Sequence, residues 1–232
     1  MLDHISDLKS LWRHVDKIDK DNFPGSGLSP IYGGGREQNP EFMFVFINPP
    51  RRNISSDPSW TGPRFPFIGT KQVWRVFHKA GLFDDGLLSY IESNPRWSVR
   101  FTDKVRDFLD SNSIYISNVV KSTGADAALP DSAKINLFLP ALQRELEIVK
   151  PKYLVAMGLI PFERLTGRKI KLADYHSQAL AKKRLGTFKV SFGDNDRSRY
   201  ASSEVIPCYF PVGRGSPKKA VELLRLLKEC IR

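Results

Sequence analysis

Two asparagines interrupt or follow apolar segments of the chain. Asn48 follows the apolar residues 42–47 and precedes two prolines, and Asn118 lies within the mainly apolar residues 114–120. An amide side chain has an acceptor oxygen and a two-proton donor, so it can hydrogen-bond two neighbouring polar atoms of a ligand at once. Held rigidly at a strand end, it can also position a water molecule, although it is too weak a base to deprotonate one readily. Both side chains are therefore candidates for binding a small polar group and bringing water to it.

The strands that would hold these amides are predicted from apolar runs bounded by turn residues. They cover residues 42–47, 114–120, 153–157, 187–192 and 205–210. The first run is apolar throughout, which is typical of a strand buried on both faces of a parallel sheet, and helical patterns separate the first three runs. In such sheets ligands collect at the carboxyl ends of the strands. We therefore expect a single α/β domain over residues 1–232, a three-layer α/β/α sandwich with a mostly parallel sheet of four to five strands.

Two helices and three loops are also marked in the sequence. Apolar residues recur at helical spacing through residues 134–149, and Pro151 ends that helix just before the next strand. Ser216 and Pro217 are typical of a helix start, and an apolar face follows them. The remaining glycine-rich, proline-rich or polar stretches are predicted to be loops: residues 25–35, 51–64 and 193–203.

The composition favours a polyanionic partner. The formal net charge is +11, and basic surface binds phosphates by releasing their counterions, although a merely basic protein would have the same composition. Two cysteines, Cys208 and Cys230, lie far apart, so neither a disulfide framework nor a cysteine metal site is indicated. No segment has the pattern of a signal peptide or a membrane span. We expect a monomer in a reducing, cytoplasmic setting, without contact with a membrane.

Five segments resemble, in the same order, those of the uracil-DNA glycosylase superfamily. They are residues 31–35, 47–50, 65–69, 114–121 and 150–158. The resemblance is closest to the bacterial and archaeal branch that normally carries an iron-sulfur cluster, whereas Ile47-Asn48-Pro49 is more like the mismatch-specific branch. It implies a protein that flips a base out of DNA and hydrolyses its N-glycosidic bond.

The resemblance implies a role for each candidate residue. Asn48, braced by Pro49, would hold the attacking water and would make a slow enzyme. The ring of Phe67 would stack on the flipped base, beside Ile47. Asn118 would read uracil, because its amide can accept from N3–H and donate to O4, a pattern that cytosine does not match.

The C-terminal segment departs from the family pattern. Relatives usually have His-Pro-Ser where this chain has Phe210-Pro211-Val212, so the histidine that bonds the leaving uracil is absent. Phe210 stays a base-binding candidate by its position. The residues after it are expected to enter the minor groove and to approach phosphates, and they include Gly213, Arg214, Gly215, Ser216, Lys218 and Lys219.

A second departure concerns the iron-sulfur cluster, which four cysteines hold in that branch. Ser122 and Phe138 stand where two of the cysteines would lie, and no cysteine precedes Tyr32. Four-thiolate ligation is therefore impossible. No pair of histidines has the spacing of metal ligands either. We expect no cofactor and no metal.

Each candidate also has a purely structural interpretation. Asn48 could bond its own turn, and Phe67 could fill the core at the sheet end. Asn118 could be a buried amide whose hydrogen bonds are satisfied within the protein. The C-terminal segment could be a solvated basic turn.

The predicted function is that of a monofunctional DNA glycosylase for uracil or a related deaminated base, in double- or single-stranded DNA. Monofunctional chemistry is expected because no lysine lies at a motif position where a Schiff base would form. Two alternatives stay open: a catalytically weak or inactive nucleic-acid-binding member of the same fold, and a glycosylase for another base such as hypoxanthine.

Overall fold

The computed structural model describes residues 2–94, 96–124, 128–191, 203–213 and 215–229. In chain order the elements are α1 (Leu8–Asn22), β1 (Gly34–Gly35), β2 (Phe42–Phe46), a 3-10 turn (Ile54–Ser56), α2 (Gln72–Lys79), α3 (Asp85–Ser93), α4 (Val99–Ser111), β3 (Ile114–Asn118), α5 (Ser132–Val149), β4 (Tyr153–Met157), α6 (Leu159–Thr166), α7 (Leu172–Lys182), β5 (Phe188–Lys189), β6 (Glu204–Cys208) and α8 (Pro217–Glu229). The chain divides into two compact units, Met1–Ile68 with Ser98–Lys152 and Gly69–Trp97 with Tyr153–Arg232.

The first unit contains the parallel pair of β2 and β3. Their register runs from Phe42 opposite Ile114 to Phe46 opposite Asn118. Every residue of both strands is buried, as expected for strands covered on both faces. The predicted strands 42–47 and 114–120 are therefore confirmed, each ending one or two residues earlier.

The short strand β1 corrects one prediction. The sequence pattern predicts loop for residues 25–35, but Gly34 and Gly35 pair antiparallel with Ile116 and Tyr115 of β3. Gly35 has a φ of +112°, and a Cβ there would lie 2.2 Å from the Ile114 carbonyl oxygen. Only glycine fits such a close approach of two backbones, and the local glycine content therefore concealed a strand.

Helices cover the strands of the first unit. α5 begins at the N-cap Asp131, whose side chain accepts from the Lys134 N–H, and it ends at Lys150 in the left-handed conformation. It contacts α1, whereas α4 contacts β1 and β3. The predicted helix 134–149 is thus confirmed, and it starts slightly earlier than predicted, at Ser132.

The second unit is built on β4 and β6, which pair in parallel from Tyr153 opposite Glu204 to Met157 opposite Cys208. β5 pairs antiparallel with β6. Strand 153–157 is confirmed as predicted, and strand 205–210 lies at Glu204–Cys208. Of the predicted strand 187–192, residues Phe188 and Lys189 form β5, and Phe192 lies outside the described residues. Pro217 is the first residue of α8, as predicted.

The predicted α/β class with a mostly parallel sheet is confirmed. The described residues form six strands rather than four to five, because β1 adds to the predicted set. No helix in these ranges is long and apolar enough to cross a bilayer.

Candidate active site

The carboxyl ends of β2 and β3 lie side by side and stay paired beyond the sheet. Phe46 is the register partner of Asn118. Past the strands, the Val120 N–H donates to the Ile47 carbonyl at 2.9 Å, and the Gly124 N–H donates to the Pro49 carbonyl at 3.1 Å. The segments that carry Asn48 and Asn118 therefore leave the sheet together, at one edge, as the sequence predicted.

Asn118 is the most unusual polar residue of this edge. It is 1% exposed, and neither Oδ1 nor Nδ2 has a hydrogen-bond partner among the described residues. An unpaired buried amide is costly and therefore rare in native proteins. The structural interpretation, a buried Asn whose hydrogen bonds are satisfied within the protein, is therefore wrong for the described residues, and both amide atoms keep their hydrogen-bonding capacity unused.

Asn48 is half-buried at the turn, between the buried residues Ile47 and Pro49. Within the described ranges, no hydrogen bond ties its amide to its own turn. A Cβ added to Gly124 would lie 2.9 Å from Asn48 Nδ2. The glycine therefore leaves the room that the Asn48 amide occupies, and the backbone of both segments sets where that amide lies.

Phe67 packs against the same edge in a strained conformation. Its φ is +66°, it is 5% exposed, and its ring meets that of Phe46 edge to face at 4.6 Å between centroids. The loop around it is held by Asn53, whose Nδ2 donates to the Phe65 carbonyl at 2.8 Å, and by the Ile54 N–H, which donates to the Ile68 carbonyl. A left-handed non-glycine residue held so firmly is more common at functional sites than elsewhere. Phe67 is buried as the core interpretation expects, and its stacking on a base stays a prediction.

A buried ionic network lies on the opposite face of β3 and was missed by the sequence analysis. Tyr115 and Ser117 point to the face opposite Asn118, because side chains alternate along a strand. The Glu145 carboxylate of α5 accepts from Tyr115 OH and Ser117 Oγ, each at 2.9 Å, and from Lys121 Nζ at 2.5 Å. Both Lys121 and Glu145 are 0% exposed. The sequence does carry a signal for this network, because Lys121 and Glu145 are charged residues within or next to otherwise apolar segments.

The Lys121 ammonium joins this network to the backbone of Asn118. Its Nζ donates to Ser117 Oγ at 2.5 Å and to the Asn118 carbonyl at 2.7 Å, besides its bond to Glu145. Burial lowers the pKa of Lys121, and the adjacent Glu145 carboxylate opposes that lowering. Burial also raises the pKa of Tyr115 well above its usual value, and the Glu145 charge adds to that rise. The phenol therefore stays neutral and donates.

The order of these features along the chain is that of a known family. The family model of the uracil DNA glycosylase superfamily matches residues 33–228. The chain belongs to this superfamily. The predicted resemblance is confirmed at that level. The superfamily generally comprises DNA glycosylases, which are hydrolases. No curated protein matches the chain closely.

In the second unit, the segment predicted to approach DNA follows β6. Phe210 is half-buried, and the Gly215 N–H donates to the Val212 carbonyl at 3.0 Å to close a turn. A Cβ on Gly215 would lie 1.9 Å from the Phe210 carbonyl oxygen, and Gly213 is left-handed with a φ of +60°. Arg214 lies outside the described residues. Both glycines are thus required by the turn itself.

The cations that follow this turn are accessible. Ser216 is half-buried, and its carbonyl accepts from the Ala220 N–H at 2.9 Å in the first turn of α8. Lys218 and Lys219 are exposed, and Lys219 Nζ lies 5.5 Å from the centre of the Tyr209 ring. This geometry does not identify what the lysines bind, so their DNA contacts stay predictions.

The positions that would ligate an iron-sulfur cluster do not fit one. The ring of Phe138 stacks on that of Phe23 at 6.3 Å, and Ser122 is 1% exposed. Cys208 lies in β6, where burial raises the pKa of its thiol to about 12, and Cys230 lies outside the described residues. Among the residues that the structure describes, no three His, Cys, Asp or Glu side chains are grouped to hold a metal ion.

Proposed function

We propose that this protein is a monofunctional DNA glycosylase that flips uracil, or a closely related deaminated base, out of DNA and hydrolyses its N-glycosidic bond. The observation that carries the proposal is the buried amide of Asn118, with both polar atoms unpaired in the described residues. Uracil offers the complementary pair, because its N3–H donates to Oδ1 and its O4 accepts from Nδ2. Cytosine presents an acceptor at N3 and a donor at N4. The amide orientation that fits uracil therefore does not fit cytosine.

The neighbours of Asn118 supply the other parts of such a site. Asn48 would position the water that attacks the sugar carbon, while Pro49 keeps its turn rigid. Phe67 offers a ring to the flipped base, and Ile47 offers an apolar wall. No strong general base lies among these residues. The protein would therefore lower the activation barrier of hydrolysis mainly by positioning the water and the base, and slow turnover is expected.

Hydrolysis by water, without a covalent intermediate, is favoured by the state of Lys121. It lies three residues after Asn118, but its three N–H protons are used by Ser117, Asn118 and Glu145. A Schiff base needs a lysine amine that can lose its proton and reach the sugar. Lys121 does not meet the second condition, because its fully buried side chain is bonded to three acceptors within the network.

DNA binding is assigned to the C-terminal segment of Gly213, Arg214, Gly215, Ser216, Lys218 and Lys219. The exposure of the two lysines and the formal charge of +11 support it. Binding to phosphates releases counterions, so the logarithm of affinity should fall linearly with the logarithm of salt concentration. Replacing Lys218 and Lys219 with alanine should flatten that slope by about one unit for each phosphate that the protein no longer binds. An unchanged slope would place the phosphate-binding residues elsewhere.

A second candidate function is a nucleic-acid-binding protein of the same fold with little catalytic activity. The observation that favours it is Phe210, which offers no hydrogen bond where relatives use a histidine on the leaving base. Loss of a donor to a developing negative charge typically slows a reaction by ~100- to 1000-fold. The two candidates share DNA binding and differ in whether a base is released.

The deciding experiment measures base release from labelled DNA. Duplexes with U·G, U·A, T·G or hypoxanthine·T, and matching single strands, are incubated with the protein and treated with alkali to cut abasic sites. Uracil-containing strands should be cut, and Asn118→Asp should cut them roughly 10- to 100-fold more slowly, since a carboxylate cannot donate to O4. Asn112→Asp, the same change at an exposed position of the first unit, serves as the control.

Each outcome of this assay has one meaning. Cutting of uracil strands that depends on Asn118 supports the proposal. DNA binding without any cutting supports the second candidate, and cutting confined to hypoxanthine gives the third predicted function. Uracil release that Asn118→Asp leaves unchanged would show that another residue reads the base.

A further inference from the structure

We propose that Lys121 and Glu145 are positioning residues for Asn118. They hold the backbone of Asn118 so that its side chain, which makes no hydrogen bond in the described residues, stays in place. This inference rests on the proposed function. Neither residue is expected to touch the base. Their effect passes through the Asn118 carbonyl, to which Lys121 Nζ donates at 2.7 Å.

The peptide unit after Asn118 is held at both of its polar atoms. Its carbonyl oxygen accepts from Lys121, and its N–H, which belongs to Val119, donates to the Phe46 carbonyl at 2.8 Å. A hydrogen bond to a charged donor is shorter and stronger than one between neutral groups. Rotation of this peptide plane would break both bonds, so the Cα–Cβ direction of Asn118 is constrained.

This constraint matters because nothing else in the described part of the chain holds the Asn118 side chain by a hydrogen bond. An amide without hydrogen-bond partners can change rotamer without breaking a hydrogen bond. A site of this kind needs its contacting groups held to within about 0.5 Å of the productive geometry by supporting residues. In this protein the support comes from the backbone side, and it leaves both amide atoms available to a base.

The network is suited to the task because it leaves no polar group of the pair unused. The three N–H protons of Lys121 meet three acceptors, and Glu145 accepts from three donors. Gly33 closes the other side, since a Cβ there would lie 2.2 Å from Glu145 Oε1 and 2.4 Å from Tyr115 OH. A fully satisfied buried network is stiff, whereas a partly satisfied one is not. Glycine at position 33 thus leaves the space that the Glu145 carboxylate and the Tyr115 hydroxyl occupy.

The test uses the double variant Lys121→Met with Glu145→Leu, which removes both charges together. Replacing a buried ion pair by apolar residues of similar size is often neutral for stability. The matched control is Arg144→Met with Glu147→Leu, another ion pair of α5, in which Arg144 bonds the Ile5 carbonyl instead of β3. A purely structural role predicts the same result for both double variants.

Four quantities are measured: the melting temperature, the single-turnover rate of uracil release, the Kd for uracil-containing DNA, and the side-chain amide signal of Asn118 in a 15N-labelled sample. That signal is assigned by its loss in Asn118→Asp. We expect the Lys121/Glu145 double variant to keep its Kd, to release uracil about tenfold more slowly, and to show a broadened or split Asn118 signal. The control should keep the rate and the single signal.

A double variant with the wild-type rate and one sharp Asn118 signal would overturn the inference. If it does not fold, Ser117→Ala decides, because it removes one bond from each partner and leaves no charge unpaired. The same slowing and broadening, in weaker form, are expected there, and their absence would overturn the inference too. If the wild type releases no base at all, the proposed function fails, yet the amide signals still decide whether the network positions Asn118.

Discussion

The two faces of β3 differ in whether their buried polar groups have hydrogen-bond partners. On one face, Tyr115 and Ser117 bond Glu145, and every group of the network has a partner. On the other face, Asn118 is just as buried, and its two amide atoms have none in the described residues. The cost of an unpaired buried polar group is about 1–3 kcal/mol. The chain therefore satisfies the buried polar groups on one face of this strand, and on the other face it leaves unpaired the amide to which the proposed function assigns the base.

The largest expected effect tests this contrast through stability. Glu145→Leu leaves the Lys121 charge buried and unpaired, so the free energy of unfolding should fall by about 3–5 kcal/mol. Asn118→Leu removes two buried polar atoms that have no partner in the described residues, so the free energy of unfolding should rise by about 1–3 kcal/mol. Urea unfolding of both variants measures the difference. Equal losses would mean that Asn118 is bonded in solution, and the contrast between the faces would disappear.

The next effect concerns Asn48, which shares the open edge. Asn48→Ala should slow base release by roughly 100-fold, because a water out of place costs about that much. Affinity for DNA should hardly change, since Asn48 is not expected to bind a phosphate. Single-turnover kinetics and binding are measured side by side, with the exposed Asn112→Ala as the control. A rate within about threefold of wild type would move the water-holding role to another residue.

A smaller effect is expected at Phe210. It tests whether the Asn118 amide is sufficient for uracil release when no side chain donates a hydrogen bond to the leaving base. Phe210→His should raise the rate of uracil release by about tenfold, less than the ~100- to 1000-fold that such donors contribute in adapted sites. Phe210→Leu removes the ring without adding a donor and should not raise the rate. Time courses on a U·G duplex compare the three proteins. If the histidine variant binds DNA but is no faster, either the histidine position lies elsewhere in the loop or another donor already acts.

The smallest effect could break the rule that an unpaired buried atom marks a ligand site. Asp19 of α1 is 5% exposed, and its Oδ1 also lacks a partner among the described residues. Burial raises the pKa of Asp19, and the nearby Ser122 hydroxyl and the Lys134 charge oppose that rise. The raised pKa means that its carboxyl favours the folded state below an ordinary pKa of about 3.9, and that this contribution is lost as pH rises through the folded pKa.

Asp19→Asn cannot ionise, so it should be more stable than the wild type at neutral pH, and this gain should vanish below about pH 4. Base release should not change. Unfolding at several pH values measures this, with the exposed Asp21→Asn of the same helix as the control. Loss of activity in Asp19→Asn would instead make this carboxylate part of the function.

The sequence by itself determined the α/β class, the superfamily and the shared edge of Asn48 and Asn118. These properties follow from local patterns, because an apolar run predicts a buried strand and parallel strands place their carboxyl ends together. The helix at residues 134–149 and the start of α8 at Pro217 follow from spacing and capping in the same way. The short strand at Gly34–Gly35 did not, since glycine has low strand propensity and only pairing with β3 makes it a strand.

Only the tertiary structure decided which buried polar groups have partners. Lys121 and Glu145 are 24 positions apart, and they meet because α5 packs with one particular face against β3. The rotation of that helix depends on the whole packed core and on no local pattern. The same holds for the left-handed Phe67, whose loop is held by bonds from residues 53–55. Sequence periodicity locates a side chain on a face, but packing of distant elements decides whether its hydrogen bonds are made.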